Sequence, residues 1–486
     1  MRLSRLCERA GVALPEGAED VEVNAFAIDH RKVAPGTVFG AFEGYSVNGE
    51  DFIPQAIASG AIGVIARPPA KVEGAVHFAD DKPRRLFARL AGAFFCPFPE
   101  TIVAVTGTNG KTSTVEMTRQ LWRMAGERAA SIGTLGVTTP DESVSTGLTT
   151  PDIVTFLSNL RGLAREGTTH IAYEASSHGL SQYRNEGVPV KAAAFTNFSR
   201  DHLDYHATME DYFEAKMRLV EKVLDDDGTA VIWADDPKAD DVIARAKKRG
   251  LEVMTVGKTG EDIVLVSQVP TELGQEIVVR HAGIEKKIAL PLIGAYQAAN
   301  ALTAAGLAVA TGVSPSQALD GVARLQPVAG RLQRAAINRD GAPAYVDYAH
   351  TPDALEAAIA ALRPHCKGEL TVVFGAGGDR DQGKRKPMGE VAAKAADKVI
   401  VTDDNPRGED PATIRAAILD GAPQAQEIGD RRAAIDAAIS GAKRGDIVLI
   451  AGKGHEQGQI IGSGENAQVL AFDDVAVARE CAGGAA

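Results

Sequence analysis

The chain has only four cysteines among 486 residues, Cys7, Cys96, Cys366 and Cys481, and no two form a CxxC pair. That spacing excludes a disulfide framework and a cysteine zinc site, and it suits a reducing cytosol. No apolar run approaches the ~20 residues that span a bilayer. The opening stretch MRLSRLCERAGVAL is basic but has no continuous apolar core, so a signal peptide is not expected and a cytoplasmic location is. Positive charge is in deficit: 52 Lys and Arg face 64 Asp and Glu, a formal net charge of −12. This argues against nucleic acid as the main partner, which calls for a basic surface. A local positive pocket for a small anion is still allowed. No GxSxG segment, no HExxH segment and no internal repeat occurs, so a serine hydrolase, a zincin and a solenoid find no support.

What is present is a soluble-type composition, 45% hydrophobic and 24% charged, on a chain too long for one core. At roughly 100–200 residues per domain, about three domains are expected. Short β-rich runs alternate with Ala-rich helical stretches: TIVAVTG, AAAFTNF, ELTVVFGAG, KVIVTDD and DIVLIAG. This is the pattern of an α/β chain with parallel strands and crossover helices. Ligands of such sheets sit at the carboxyl ends of strands, so residues just after each run carry most weight. Two proline joints, FFCPFPE at 94–100 and LQPVAGR at 325–331, place boundaries near 98 and 329. The expected domains are 1–98, 99–328 and 329–486, and the terminal CAGGAA is expected to fray.

TIVAVTGTNGKTSTVEM reads as a buried strand, a glycine-rich turn and a helix from about Thr112. Gly107, Thr108, Asn109 and Gly110 offer backbone N–H groups to a polyphosphate. Lys111 adds charge, Thr112 can reach Mg²⁺, and Ser113 lies at a helix N-terminus that favours anions. The spacing, G-x-x-G-K-T, is two residues shorter than the usual phosphate loop. A bound nucleoside triphosphate and Mg²⁺ are the implied ligands. A second strand, THIAYE, ends at Glu174. A third, ending FTNFSRDHLDYH, leads to a helix carrying Lys216. Mg²⁺ takes oxygen ligands, which Glu174 and Thr112 supply, and His202 is a further candidate. The pair His202 and His206 lacks the context of a zinc site. Late in the chain, VTDDNPRGED leaves a strand through a proline-stiffened loop holding Asp404, Asn405 and Arg407 together. Such a fan is either a solvated turn or a pocket for a ligand bearing both charges.

GTNGKT, LTTPD, EASSHGL, TNFSRDHLDYH, VDYAHTPDAL, GAGGDRDQGKR, DDNPR and AGKGHE occur in this order. With these eight segments the chain resembles the Mur ligases of bacterial cell-wall synthesis, from about Ile28 to Glu456. The resemblance implies three domains: one for the UDP end of the substrate, a central ATPase-type parallel sheet, and a C-terminal Rossmann-like domain for the incoming amino acid. It implies an ATP-dependent amide ligase acting through an acyl phosphate, nearest to the branch that adds meso-diaminopimelate to UDP-N-acetylmuramoyl-L-alanyl-D-glutamate. It places Ile28, His30, Tyr45, Ser46 and Val47 at the uridine end, and Thr149, Thr150, Ser176, Gln182 and Arg184 on the muramoyl dipeptide. Asn300, Arg331, Asp347 and His350 fall near the nucleotide. Arg380, Asp404, Asn405, Pro406, Arg407, Gly452 and Glu456 fall at the diaminopimelate site. Lys111, Glu174, His202 and Lys216 fall at the catalytic centre, Lys216 as a carbamate that would ligate the metal. A monomer without nucleic acid or membrane insertion is implied. Three positions depart from the family pattern: His30 stands for a serine, Trp233 for an asparagine before Ala-Asp-Asp, and Gln297 for an asparagine ahead of Asn300. Also open are an L-lysine-adding relative, a folate-type glutamate ligase, and a nucleotide-dependent switch without catalysis.

Overall fold

Four short strands, Ala25–Ala27, Thr37–Gly40, Ala61–Ala66 and Val76–Ala79, form an all-parallel sheet in that order. They belong to a computed structural model that describes residues 1–486 except 17, 19, 45, 46, 140–142, 145–147, 272, 273 and 484–486. The C-terminal end of the expected frayed tail therefore lies outside the described residues. The helix Pro83–Phe95 covers this sheet with Leu86, Phe87, Leu90 and Ala91. Phe87 meets Phe26 and Phe42 edge-on, with ring centroids 5.3 and 5.4 Å apart. Each fully buried aromatic of this kind stabilises by about 1.5–3 kcal/mol.

Among the described residues the second sheet has eleven strands. Its centre is parallel and runs Glu252–Gly257, Thr229–Trp233, Ala192–Phe195, Thr101–Thr106, His170–Glu174, Ala129–Gly133. All six residues of Thr101–Thr106 are buried, because helices lie over both faces of a parallel sheet. The helix Lys111–Met124 packs on the Ala-rich helix Ala295–Ala310, whose small side chains permit close approach. The buried Trp122 donates its indole N–H to Thr311 Oγ1 at 2.9 Å, so the polar edge of the ring is satisfied.

The third sheet orders its strands Gln333–Ile337, Pro343–Asp347, Ile447–Ala451, Leu370–Phe374, Lys398–Val401, Gln426–Glu427. All pair in parallel except the first. Its helices start as the sequence dictates. Thr351, Asp410 and Asp430 each cap a helix by accepting a backbone N–H, and Pro352 and Pro411 occupy first-turn positions that need no donor. A two-stranded hairpin, Gly458–Ile461 with Gln468–Ala471, hangs from this unit. Among the described residues no helix is long and apolar enough to cross a membrane.

Arg431 and Asp474 form an ion pair with both side chains 0% exposed, through bonds of 2.8 and 2.7 Å. Arg431 also donates to the carbonyls of Ala451 and Asp403. It ties the last helix to the ends of the strands Ile447–Ala451 and Lys398–Val401. Removing one member strands a buried charge, so Asp474→Ala should cost about 3–5 kcal/mol of stability. A denaturation midpoint that moves at constant slope would measure it.

Candidate active site

Register brings the functional loops together. Glu174 pairs with Val105 and Phe195 with Thr106, so the loops after three neighbouring strands emerge side by side. The phosphate loop leads directly into its helix at Lys111, one residue before the expected start. Gly110 makes the turn with φ +83°, and a Cβ there would meet Asn300 Oδ1 at 2.3 Å, so only glycine fits. Asn109 donates its backbone N–H to Asn197 Oδ1 at 2.8 Å, and its carbonyl accepts from Thr196 Oγ1 at 2.6 Å. The loop is thus braced by the neighbouring strand end. Lys111 Nζ lies over the loop, donating to the carbonyls of Gly107 and Thr108 at 3.0 and 2.9 Å. Ser113 is buried in the first turn behind them.

Lys216 is 1% exposed, and its Nζ donates to the Gly107 carbonyl at 2.6 Å. Burial, and then the Lys111 ammonium, push its pKa well below that of a free lysine, against the pull of Asp201. Glu174, at the end of its strand, accepts from the backbone N–H of Thr134 at 2.7 Å and from its hydroxyl at 3.1 Å. His202 has φ +54°, a strained backbone for a side chain of its size, of the sort that gathers at functional sites. Burial pushes its imidazole down to about 3, so it is neutral and able to ligate. Thr112 and Glu174 offer the hard oxygens that Mg²⁺ prefers. Among the described residues no three His, Cys, Asp or Glu converge as a metal cage. The donor set therefore fits a magnesium ion that shares its shell with phosphates and water, and does not fit zinc.

Beside Glu174 the dipeptide candidates form one network. Thr150 donates to the Glu174 carbonyl at 2.7 Å, and its Oγ1 lies 2.9 Å from Ser176 Oγ. Thr149 accepts from Thr134 at 3.2 Å. Arg184 donates to the Thr150 carbonyl at 2.9 Å and to Gln182 Oε1 at 2.7 Å, while Gln182 donates to Tyr205 at 3.0 Å.

On the other side of the phosphate loop a cavity of about 310 Å³ is lined by Trp233, Leu265, Asn197, Asp236, Ala299 and Asn300. Trp233 thus faces the same space as Asn300. Gln297 does not line it. Buried beneath, it donates to the Arg331 carbonyl at 3.3 Å and accepts from Asn300 at 3.3 Å. Arg331 reaches back from the third unit to Thr112 Oγ1 at 3.0 Å, and its guanidinium lies over the Tyr348 ring. Asp347 is consumed internally: its two oxygens accept from the backbone N–H groups of Leu332 and Ala349 at 2.7 and 2.8 Å. It therefore braces the segment that carries Arg331. His350 shares a hydrogen bond with the Tyr348 carbonyl at 2.9 Å, and Asp201 is the acid that faces it.

In the first unit Ile28 and His30 follow the strand Ala25–Ala27, and the His30 ring stacks on Phe52 at 4.3 Å and 4°. Val47 is exposed; Tyr45 and Ser46 lie outside the described residues.

In the third unit the DDNPR loop packs on a glycine strip. A Cβ on Gly378 would lie 1.9 Å from the Pro406 carbonyl, so any side chain would expel the loop. Gly452 packs in the same way beneath the Asp404 carboxylate, 2.5 Å from where its Cβ would be. Arg407 has φ +51°, and the hairpin holds it there: its N–H donates to Ile460, and Gly462 donates to its carbonyl at 2.8 Å. Its guanidinium donates to the Gly378 carbonyl at 3.0 Å, and among the described residues it makes no salt bridge. Asn405 donates to Glu456 Oε2 at 2.8 Å. Arg380 is exposed beside Arg407. A solvated turn would not be buried, and Asp404 and Asn405 are.

Several groups here escaped the sequence reading. Thr134 orients Glu174 from a loop with no motif. Asp201 and Lys453 lie inside quoted segments, yet nothing in the order of residues says which charges they face. Lys384 is a partly buried cation that feels the charge of Asp201, and Arg84 lies over the Phe42 ring and donates to the Glu43 carbonyl at 3.0 Å; only folding puts them there.

Residues 22–95 match the Mur ligase family catalytic domain, 105–308 the Mur ligase middle domain, and 330–454 the Mur ligase glutamate ligase domain. The chain is 59% identical over 471 residues to the UDP-N-acetylmuramoyl-L-alanyl-D-glutamate–2,6-diaminopimelate ligase of Zymomonas mobilis, covering 97% of each. It is 48% identical over 466 residues to the same-named protein of Bradyrhizobium diazoefficiens, covering 95% of each. A solved structure of a ligase with that name superposes with TM-score 0.72 at 34% identity, covering 99% of both chains. A phosphate loop, an acid at the neighbouring strand end and a charged pocket on a separate sheet are thus the parts of a three-domain protein, and the chain belongs to the Mur ligase family.

Proposed function

We propose that the chain joins meso-2,6-diaminopimelate to UDP-N-acetylmuramoyl-L-alanyl-D-glutamate with ATP, in peptidoglycan precursor synthesis, acting as a cytoplasmic monomer. Its domains divide at 1–98, 99–328 and 329–486. The observation that carries the amino-acid assignment is Arg407: a partly buried guanidinium without a carboxylate partner among the described residues, facing the acids Asp404 and Glu456. A ligand end bearing both a carboxylate and an ammonium matches that pocket.

A γ-carboxylate oxygen of D-glutamate attacks the γ-phosphorus of ATP, the bond to the bridging oxygen breaks, and ADP leaves. The amine of diaminopimelate then attacks the acyl carbon. The C–N bond forms, the amine proton passes to solvent, and the tetrahedral adduct collapses as the C–O bond to phosphate breaks. Such transfers need positioning and charge neutralisation more than covalent help from the protein. The N–H groups of residues 110–113 and Lys111 serve the phosphates, those of Thr108 and Asn109 being spent on Asn197, and Arg331 adds charge from the third domain. Asn300 and Trp233 flank the nucleoside. Arg184, Gln182, Ser176, Thr149 and Thr150 hold the dipeptide and orient its carboxylate. Thr112, Glu174, His202 and a Lys216 carbamate would hold magnesium, which would supply neutralisation of the phosphate charge. Arg380, Arg407, Asn405, Asp404 and Glu456 hold the distal end of the amino acid.

A panel of UDP-muramoyl peptides against candidate amino acids, read as ADP release, tests this. Release should require both the dipeptide substrate and diaminopimelate. ADP release that ignores either one would reject the ligase reading.

His30 replaces a small hydroxyl with a ring already stacked on Phe52, which makes a two-ring platform for a base. Stacking of a base on an aromatic side chain contributes ~1–3 kcal/mol, so His30→Ala should raise the KM for the UDP substrate about tenfold and leave that for ATP unchanged. An unchanged KM for the UDP substrate would remove His30 from the uridine site.

A further inference from the structure

Lys453 is 0% exposed, in the turn after the strand Ile447–Ala451. A buried ammonium persists only where its charge and its donors are met. Its Nζ donates to Asn405 Oδ1 at 2.9 Å and lies 3.5 Å from Glu456 Oε2 and 4.0 Å from Asp404 Oδ1. One cation thus sits among three groups of the amino-acid pocket. Asn405 Oδ1 also accepts from the Ile460 N–H at 2.9 Å, while its Nδ2 donates to Glu456. Two donors on one side and an acceptor on the other leave the amide a single orientation, and Lys453 supplies one of those donors.

The charge count gives the consequence. Asp404 and Glu456 carry two negative charges and Lys453 cancels one, so this half of the pocket asks for a single ammonium. The other half, Arg407 held by carbonyl oxygens with Arg380 beside it, asks for a carboxylate. Without Lys453 the two acids would draw Arg407 toward themselves, and the demand for a ligand carboxylate would fall.

We propose that Lys453 is a positioning and specificity-determining residue of the amino-acid pocket. It orients Asn405 and neutralises one of two carboxylates, so that the pocket matches a zwitterionic terminus rather than a lone ammonium. This rests on the assignment of that pocket to diaminopimelate.

Full-length Lys453→Met tests it, with initial rates on meso-diaminopimelate and on L-lysine. Loss of a buried charge partner should raise the KM for diaminopimelate ~10²-fold and cut its preference over L-lysine at least ~10-fold. Values of kcat, and of KM for ATP and the UDP substrate, should stay within about threefold, a split that general destabilisation would not give. The double variant Lys453→Met/Glu456→Gln removes one cation and one anion and restores the count. It should regain part of the lost preference. An unchanged preference in Lys453→Met, or a double variant no better than the single, overturns the proposal. Should Lys453→Met fail to fold, Lys453→Arg and the double variant decide: preference retained in both upholds the charge count, and preference lost in both ends it. A wild-type chain that released no ADP with diaminopimelate would overturn the functional reading and this inference together. Failure confined to the variants overturns this one alone.

Discussion

Replacing Arg407 with alanine should raise the KM for diaminopimelate by at least ~10²-fold and leave the KM for ATP nearly unchanged. Arginine suits a carboxylate because its planar fork donates two parallel bonds. Here the fork is held from behind by the Gly378 carbonyl, and the backbone is fixed at φ +51° by the hairpin and by the glycine strip under Pro406. The group is therefore ordered before the ligand arrives, and little entropy is lost on binding. The same geometry predicts selectivity in the unmodified protein. L-lysine has the distal ammonium without the distal carboxylate, so it would leave Arg407 desolvated and unpaired. Stranding a buried charge costs about 3–5 kcal/mol, which corresponds to discrimination of at least ~10². Rates on the two amino acids at matched subsaturating concentrations measure this. Equal use of both would refute the account of the DDNPR loop.

Lys216→Ala should lower kcat by at least ~10², the scale on which removal of one preorganised electrostatic group acts. Lys216 is enclosed, and its amine points at the Gly107 carbonyl beneath the phosphate loop. As an ammonium it would stand next to Lys111 and repel any metal brought by ATP. Burial and Lys111 both favour its neutral form, which has the lone pair that attacks CO₂. In the proposed modification the N–C bond would form, a proton would leave, and the carbamate oxygens would become available as metal ligands. Two readouts stand apart from activity. ¹³C-bicarbonate should give a carbamate resonance that Lys216→Ala lacks, and a short-chain carboxylate should partly restore the variant. A fully active enzyme with unmodified Lys216 after CO₂ depletion would sink the proposal.

Much of this site was legible from residue order because each motif is local. Gly107 to Ser113 is the turn and the first helical residues directly after the strand Thr101–Thr106, and Glu174 ends, and Asp404 follows, a strand whose apolar run is unmistakable. Asp347 was placed near the nucleotide by its motif, yet its oxygens are spent on two backbone N–H groups and its work is to hold Arg331. Gln297 departs from the family asparagine ahead of Asn300, and it lies outside the cavity lining, against the Arg331 carbonyl. In both cases the motif located the residue but not its partner.

By itself the sequence determined the alternation of strands and helices, the phosphate loop, the acids at strand ends and the stiff charged loop, because each depends on neighbours within about ten residues and on backbone chemistry. Only the tertiary structure decided which charges face one another. Lys453 is 48 residues from Asn405, Arg331 is 219 residues from Thr112, and Lys216 is 109 residues from Gly107. Such pairs are set by sheet register and by the packing of one unit on the next. The energy of a buried charge depends on what surrounds it in space, and distance along the chain carries no record of that.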